Sequence, residues 1–194
     1  MNQKYKIVAI CGKAGAGKDT IFQKVLDLLP QAHEIISCTT RPPREKEVEG
    51  INYYFLTPQQ FADKVLHNEM LEATCFNDWF YGTSYDSLRM NKLNIGVFNP
   101  AGIRALTQDP HVDAKIIYIQ ASDKNRLLRQ LNRESDPDVS EIIRRYKADE
   151  EDFLDLELDF YCDIYMNNTV KSIDTIANSI VEHLKASGFL EGTN

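Results

Sequence analysis

The stretch "KIVAICGKAGAGKDT", residues 6–20, gives the strongest indication of the fold. Its β-branched apolar start, residues 6–11, predicts a buried strand, and an amphipathic helix is predicted from about residue 17 to residue 29. Between them the glycines and Lys18 have the spacing G-x-x-x-x-G-K-[ST] of a phosphate-binding loop (P-loop). In such a loop backbone N–H groups converge on phosphate oxygens, and the helix dipole adds its positive end. The stretch therefore predicts a nucleoside triphosphate site in which Lys18 bridges the β- and γ-phosphates.

Asp19 departs from this pattern, because it stands where a magnesium-binding hydroxyl belongs. A carboxylate in the first helical turn is favoured by the helix dipole and can act through a water on a nearby Mg²⁺. Without the metal it would repel the β-phosphate by about 1–4 kcal/mol. The alternative is that Asp19 only caps N–H groups, while Thr20 or water holds the metal. The sequence leaves both explanations open.

The composition indicates one domain with a sizeable core. The chain has 194 residues, of which 43% are hydrophobic. Its net charge of −7 excludes a general binder of nucleic acid polymers or of anionic membranes. The four cysteines are scattered without a C-x-x-C pair, and the four histidines suggest no metal site. Because the N-terminal apolar run is too short for a signal peptide or a membrane span, we expect a cytoplasmic protein.

Strands and helices alternate along most of the chain. After the first strand and helix, strands are predicted at about residues 34–38, 53–56, 71–76, 94–98, 114–120 and 164–166. Further helices are predicted after Thr57, after Ser122, over about 139–153 and near the C-terminus, and residues 79–82 are expected to form an aromatic loop. This alternation is typical of an α/β fold with a parallel central sheet covered on both faces, here the P-loop three-layer α/β/α architecture.

Two further segments narrow the class of protein. Residues 37–55, "SCTTRPPREKEVEGINYYF", and residues 69–84, "EMLEATCFNDWFYGTS", resemble guanylate kinases, and the resemblance runs from the P-loop to about Asn168. It implies a nucleoside monophosphate (NMP) kinase that transfers the γ-phosphoryl group of ATP to GMP or dGMP, with Mg²⁺ as the cofactor. The ATP-binding residues are then Gly12, Lys13, Ala14, Gly15, Ala16, Gly17, Lys18, Asp19, Thr20, Asn167 and Asn168.

The same resemblance assigns the two polar stretches that interrupt the α/β pattern. Residues 38–84 are predicted to be a small NMP-binding insert, and residues 125–158 a lid. The P-loop core then comprises residues 1–37, 85–124 and 159–194. Neither insert can bury much surface, so both are expected to move.

The resemblance also implies how the acceptor nucleotide is held. The positions that grip its phosphate correspond to Arg41, Arg44, Tyr53 and Tyr81. The positions that read guanine correspond to Ser37, Glu72 and Thr83. Guanidinium groups suit the bidentate recognition of a phosphate dianion. A carboxylate suits the adjacent N1–H and 2-amino donors of guanine and repels adenine, whose N1 is an acceptor.

Two arginines flank the break "ESDPDVSEII" and resemble the lid arginines of guanylate kinases. Closing over the donor, Arg133 and Arg144 would bring positive charge to the phosphates and exclude water. The predicted catalytic set is therefore Lys18, Arg41, Arg44, Arg133 and Arg144. The competitors for the lid role, each expected on a solvated, salt-bridged helix face, are Arg126, Arg129 and Arg145.

One strand departs from the guanylate kinase pattern. Where the family has L-D-x-D-x-x-G this chain has "GVFNPAG", residues 96–102, so Val97 and Asn99 replace two aspartates. In the family the first aspartate lies near magnesium, and under the first of the two explanations of Asp19 its carboxylate supplies, through a water, the charge lost at Val97. The second lies beside guanine. The Asn99 amide can accept from the guanine amine but can also donate, so Asn99 is placed in the GMP site with looser base selection.

Three functions stay open from the sequence. They are a GMP or dGMP kinase, a broader deoxynucleoside monophosphate kinase suggested by G-K-D-T, and a non-catalytic guanylate-kinase-like binding domain. The intact glycine loop and Lys18 argue against the third. The expected partners are the small-molecule nucleotides ATP and GMP, and the chain is expected to be a monomer or a weak homo-oligomer.

Overall fold

The computed structural model describes residues 3–45, 47–76, 78–133, 135–159, 163–167 and 172–190. These residues form two compact units. Those within Met1–Ile7 and Gln31–Ala114 belong to the first unit, and those within Val8–Pro30 and Lys115–Gly192 belong to the second.

The strands of the described residues form two sheets. In chain order they are β1 (Tyr5–Cys11), β2 (His33–Glu34), β3 (Cys38–Thr39), β4 (Tyr54–Phe55), β5 (Met70–Phe76), β6 (Trp79–Ser84), β7 (Leu93–Val97), β8 (Val112–Gln120) and β9 (Asp163–Met166). The central sheet has the order β2-β7-β1-β8-β9, with β2–β7 and β8–β9 paired in parallel. Residues 7–11 of β1 are fully buried, which explains why that strand is a continuous apolar run. The predicted α/β class with a parallel sheet is confirmed.

The helices begin and end largely where the sequence predicts. Among the described residues they are α1 (Lys18–Leu28), α2 (Pro58–Leu66), α3 (Pro100–Gln108), α4 (Asp123–Leu131), α5 (Val139–Asp159) and α6 (Ile173–Ala186). At the start of α2 the Thr57 side chain accepts from the Gln60 N–H, and the Gln60 side chain accepts from the Thr57 N–H. In α6 the side chains of one apolar face are buried, and the helix packs with α1. None of the helices in the described ranges is long and apolar enough to cross a membrane.

A second sheet, with the order β4-β3-β6-β5, lies in the first unit. Strand β3 pairs in parallel with β4 and antiparallel with β6, and β5 and β6 are antiparallel neighbours. Residues 79–82, predicted to be an aromatic loop, are part of β6 instead. Residues 34–38, predicted to be one strand, are divided between β2 in the central sheet and β3 in the second sheet. Strand pairing with distant segments determines the structure of both stretches, and a local sequence pattern carries no information about such pairing.

Candidate active site

The loop after β1 has the backbone shape expected of a P-loop. Gly15 and Gly17 have φ angles of 78° and 85°, in the left-handed region that glycine adopts without strain. The Ala16 N–H closes a turn on the Lys13 carbonyl at 3.0 Å, and α1 begins at Lys18. Because Gly17 has no side chain to cap the first turn of α1, N–H groups there remain for a ligand.

Arg129 and Asn167 hold the loop through its carbonyl oxygens. Arg129 Nη1 donates to the carbonyls of Gly15 and Ala16, each at 3.2 Å. Asn167 Nδ2 donates to the Ala16 carbonyl at 2.7 Å, and Arg129 Nη2 donates to the Asn167 carbonyl at 3.0 Å. Asn167, predicted to contact ATP, is thus a buried support of the loop. The prediction for Asn168 lies outside the described residues.

Arg126, on α4, is only 2% exposed, so the expectation of a solvated side chain was wrong. Its Nε donates to the Ala14 carbonyl at 3.1 Å, and its guanidinium carbon lies 4.7 Å from the centre of the Tyr146 ring. The carboxylates paired with its guanidinium are those of Glu150 at 2.8 Å, Asp123 at 3.1 Å and Asp149 at 3.3 Å. Taking a charge out of water costs several kcal/mol, and these partners offset that cost. Arg126 therefore ties α4 and α5 to the loop.

Asp149 extends this network to a loop N–H group. Its Oδ2 accepts a 2.6 Å hydrogen bond from the Ala14 N–H, one of the donors that a P-loop offers to phosphate. Burial raises the pKa of Asp149, while the Ala14 N–H and nearby cations act in the opposite direction. Beside it, Glu150 forms a 2.9 Å ion pair with Lys13 of the loop. Two carboxylates of α5 thus engage a loop N–H and a loop cation.

Lys18 and Asp19 form an ion pair across 3.3 Å in the first turn of α1. The Asp19 side chain is 78% exposed, and Thr20 beside it is also exposed. Both can therefore approach a metal that arrives on a triphosphate. In the part of the chain that the structure describes, no three His, Cys, Asp or Glu side chains cluster as a metal site.

The two predicted lid arginines lie near the start of α5. Arg133 is exposed in the turn after α4. Arg144 is exposed as well and donates to Glu141 from Nε at 2.7 Å and from Nη2 at 2.9 Å. Arg145 approaches the same carboxylate at 3.5 Å. An ion pair this exposed contributes little to stability, so Arg144 can change partner at small cost.

In the first unit, Arg41 is paired with a carboxylate that the predicted site did not include. Its Nη2 donates to both oxygens of Glu47 at 2.8 Å, and Glu47 also accepts from the Arg44 N–H at 2.8 Å. The Arg44 N–H and the Arg41 guanidinium lower the pKa of Glu47. The Tyr53 ring lies 5.7 Å from the Arg41 guanidinium. Burial lowers the pKa of Arg41, but the Glu47 carboxylate and the nearby Tyr81 hydroxyl more than offset this effect. The Glu47 carboxylate thus lies where cationic and N–H groups converge on an anion. The sequence signal for this pairing was the spacing R-x-x-R-x-x-E of Arg41, Arg44 and Glu47.

Glu72 lies on the same sheet, opposite Thr83. The β5–β6 register also pairs Thr74 with Tyr81, so these four side chains share one face. Thr83 Oγ1 donates to Glu72 Oε1 at 2.9 Å. Burial raises the pKa of Glu72 to about 7, against the effect of the Thr83 hydrogen bonds. This carboxyl group is therefore about half ionised near neutral pH, and it loses its remaining charge on mild acidification.

Asn99 begins α3, a helix that the sequence analysis did not predict. Its Oδ1 accepts from the Gly102 N–H at 2.8 Å, which makes it the N-cap, and its Nδ2 lies 3.4 Å from Thr74 Oγ1. An N-cap residue followed by proline is a helix-start signal, and "NP" at residues 99–100 carried it. Ser37 is half-buried just before β3, where its carbonyl accepts from the Tyr54 N–H at 2.9 Å.

A parallel sheet whose first strand opens into a glycine loop and Lys18 defines the class of P-loop nucleotide-binding proteins. A family model for guanylate kinases matches residues 4–186. The chain belongs to the guanylate kinase family, whose members are enzymes that phosphorylate GMP with ATP. The resemblance stated from residues 37–55 and 69–84 is confirmed.

Known relatives agree with this assignment. The guanylate kinase of Helicobacter pylori strain J99 is 27% identical over 201 residues, which cover 97% of this chain and 94% of the relative. That of Chlamydia muridarum is 35% identical over 140 residues, covering 69% and 67%. The crystal structure of guanylate kinase from Anaplasma phagocytophilum superposes with a TM-score of 0.67 at 20% identity, covering 96% of this chain and 88% of the other. The last comparison shows a shared fold.

Proposed function

We propose that this chain transfers the γ-phosphoryl group of ATP to GMP or dGMP, giving ADP and the nucleoside diphosphate. The observation that carries the proposal is one face of the second sheet. It presents the half-buried carboxylate of Glu72 and, beside Tyr81, the guanidinium of Arg41. A carboxylate binds a base edge with two adjacent donors, and a guanidinium binds a phosphate dianion. A guanine nucleoside monophosphate carries both groups.

The phosphate of the acceptor takes the place that Glu47 has beside Arg41. Arg44 and the hydroxyls of Tyr53 and Tyr81 complete its coordination. A carboxylate and a dianion repel each other at contact distance, so Glu47 turns away as the acceptor enters. Residues 38–84 serve as the NMP-binding insert in this proposal.

The donor phosphates bind to the loop N–H groups and to Lys18. To do so they replace Asp149 on the Ala14 N–H. Asp19 and Thr20 are the residues that would help to hold a Mg²⁺ ion, which would neutralise charge on the ATP phosphates.

Residues 125–158 act as the lid over the donor. Arg144 leaves Glu141, and with Arg133 it brings positive charge to the group in transfer. Arginines in this role are worth roughly 10³–10⁵ in rate in related reactions. Exclusion of water by the closed lid protects ATP from hydrolysis.

A coupled assay of ADP release with GMP, dGMP, AMP, CMP and dTMP tests the proposal. We expect turnover with GMP or dGMP and at least 10³-fold lower kcat/KM, roughly, with AMP, because adenine sets an acceptor against Glu72. Turnover of dTMP or CMP at a similar rate would favour the broader deoxynucleoside monophosphate kinase. An absence of turnover with every acceptor would favour a binding domain.

We also propose that Asp19 supplies the negative charge that Val97 cannot provide. Asp19→Ala is then expected to raise the Mg²⁺ concentration needed for half-maximal activity. Adding Val97→Asp to that variant should restore part of the loss. The alternative, in which Asp19 only caps N–H groups, predicts an unchanged Mg²⁺ titration for Asp19→Ala.

A cytoplasmic location and a monomeric or weakly associating state complete the proposal. Free thiols at Cys11, Cys38 and Cys75 suit a reducing compartment. Sedimentation over a range of protein concentrations tests the state of assembly, and a tight dimer would contradict it.

A further inference from the structure

We propose that Asn99 makes this acceptor site tolerant of 6-oxopurine nucleoside monophosphates that lack the 2-amino group, with inosine 5′-monophosphate (IMP) as the test case. This inference rests on the proposed function and names its acceptor class more closely. The inference follows from the orientation of the Asn99 side-chain amide, whose Oδ1 and Nδ2 atoms face different neighbours.

The orientation of Asn99 is fixed by α3. Its Oδ1 caps the Gly102 N–H at 2.8 Å, so a flipped amide would set a donor against a donor and leave the first turn uncapped. An N-cap hydrogen bond favours the capping orientation by roughly 2- to 30-fold. The Nδ2 group therefore faces Thr74 Oγ1, 3.4 Å away.

Thr74 is two residues from Glu72 on the same face of β5. A base whose ring N–H is bound by Glu72 lies within reach of this position. Glu72 can accept from the ring N–H and from one hydrogen of a 2-amino group. The second hydrogen of that amine faces the N–H₂ group of Asn99, so two donors oppose each other and no hydrogen bond forms. An aspartate at position 99 would accept this hydrogen. The 2-amino group is thus hydrogen-bonded by one charged acceptor, Glu72, whereas an aspartate at position 99 would supply a second.

The consequence is a limited preference for GMP over IMP. One hydrogen bond to a charged acceptor corresponds to roughly 10- to 150-fold in kcat/KM. We therefore expect the ratio of kcat/KM for GMP to that for IMP to stay within this range. AMP is still rejected, because its N1 acceptor faces Glu72 whatever Asn99 does.

The variant Asn99→Asp tests the inference with little disturbance of the fold. Aspartate caps a helix as well as asparagine does, so one oxygen keeps the Gly102 N–H. The other replaces Nδ2, and the Thr74 hydroxyl can rotate to donate to it. Asn91→Asp is the control: it makes the same charge change at an exposed site, and its retained oxygen still accepts from Gln3.

We expect Asn99→Asp to raise the GMP:IMP ratio by roughly 10- to 150-fold and Asn91→Asp to leave it unchanged. Both substrates are measured on one preparation, so the ratio does not depend on the fraction of active protein. A wild-type ratio above about 10³, or a ratio that Asn99→Asp changes less than about threefold, would overturn the inference while GMP turnover stands. A wild-type chain that phosphorylates neither GMP nor dGMP would overturn the proposed function itself.

Discussion

Replacing Glu72 with glutamine should make the protein more stable and less active at the same time. Burial raises the pKa of Glu72 from 4.5 to about 7, so above neutral pH the folded state holds a charge that its surroundings disfavour. A shift of this size corresponds to about 3 kcal/mol of lost stability. Glutamine keeps an oxygen that can accept from Thr83 but carries no charge at any pH.

The sign of the pH dependence follows from the direction of the pKa shift. A raised pKa means that the folded state binds the proton more tightly than the unfolded state does. The favourable contribution of protonated Glu72 is therefore complete below about pH 4.5 and is lost as the pH rises through 7. The stability advantage of Glu72→Gln should be about 1 kcal/mol at pH 5 and about 3 kcal/mol at pH 8.

Catalysis should respond in the opposite direction. Glutamine presents at most one acceptor to the two donors of guanine and sets its own N–H₂ against the other. We expect kcat/KM for GMP to fall by about 10²–10⁴ at pH 8. In the wild type, selectivity for GMP over AMP should rise between pH 6 and pH 8, as Glu72 ionises.

Urea unfolding at pH 5, 6, 7 and 8 together with the coupled ADP assay measures both effects. Glu69→Gln is the matched control, because Glu69 is 47% exposed and pairs with Lys64 at 3.1 Å. Loss of such a surface pair should change stability by less than about 1 kcal/mol. A stability difference for Glu72→Gln that does not vary with pH, or full GMP activity in that variant, would refute the reasoning.

Three further substitutions, two of them with a matched control, test the loop and the arginines of α4 and α5. Arg144→Ala should lower kcat by about 10³ or more while its neighbour Arg145→Ala changes it less than about threefold, and equal effects in steady-state assays would contradict a distinct role for Arg144. Lys18→Met should abolish turnover without loss of thermal stability, whereas Lys24→Met, at an exposed pair with an aspartate on α6, should keep it; a fully active Lys18→Met variant would be incompatible with a P-loop site. Arg126→Met should cost about 1–3 kcal/mol in urea unfolding, because it removes the hydrogen bond to the Ala14 carbonyl and takes the guanidinium from the half-buried Asp149 carboxylate, and a loss below about 0.5 kcal/mol would show that the network is not structural.

Elements with local causes were predictable from the sequence. The strand and glycine loop of residues 6–17 follow from one apolar run and three glycines, and the start of α2 follows from Thr57 and Gln60 alone. The buried face of α6 follows from apolar spacing along a single helix. Each of these features depends on residues within one or two turns of each other, which is the range that a sequence pattern describes.

Features that depend on distant partners were missed. Arg126 is buried because α5 supplies its partners Asp149 and Glu150, and the sequence near residue 126 gives no indication of that burial. Strand β6 exists because it pairs with both β3 and β5. The Asn99 cap was missed for a different reason: it is a local contact with Gly102, and the helix-start signal "NP" at residues 99–100 was not used.

In the proposed donor site, the hydrogen bond from the Ala14 N–H to Asp149 makes donor binding an exchange of anions. A triphosphate that takes this N–H must evict the carboxylate, and the eviction loosens the hold of α5 on the loop. Binding of the nucleotide and loss of the contact between Asp149 of α5 and the loop are then coupled in one equilibrium. The occupied loop and the freed helix should appear together in any experiment that follows either one.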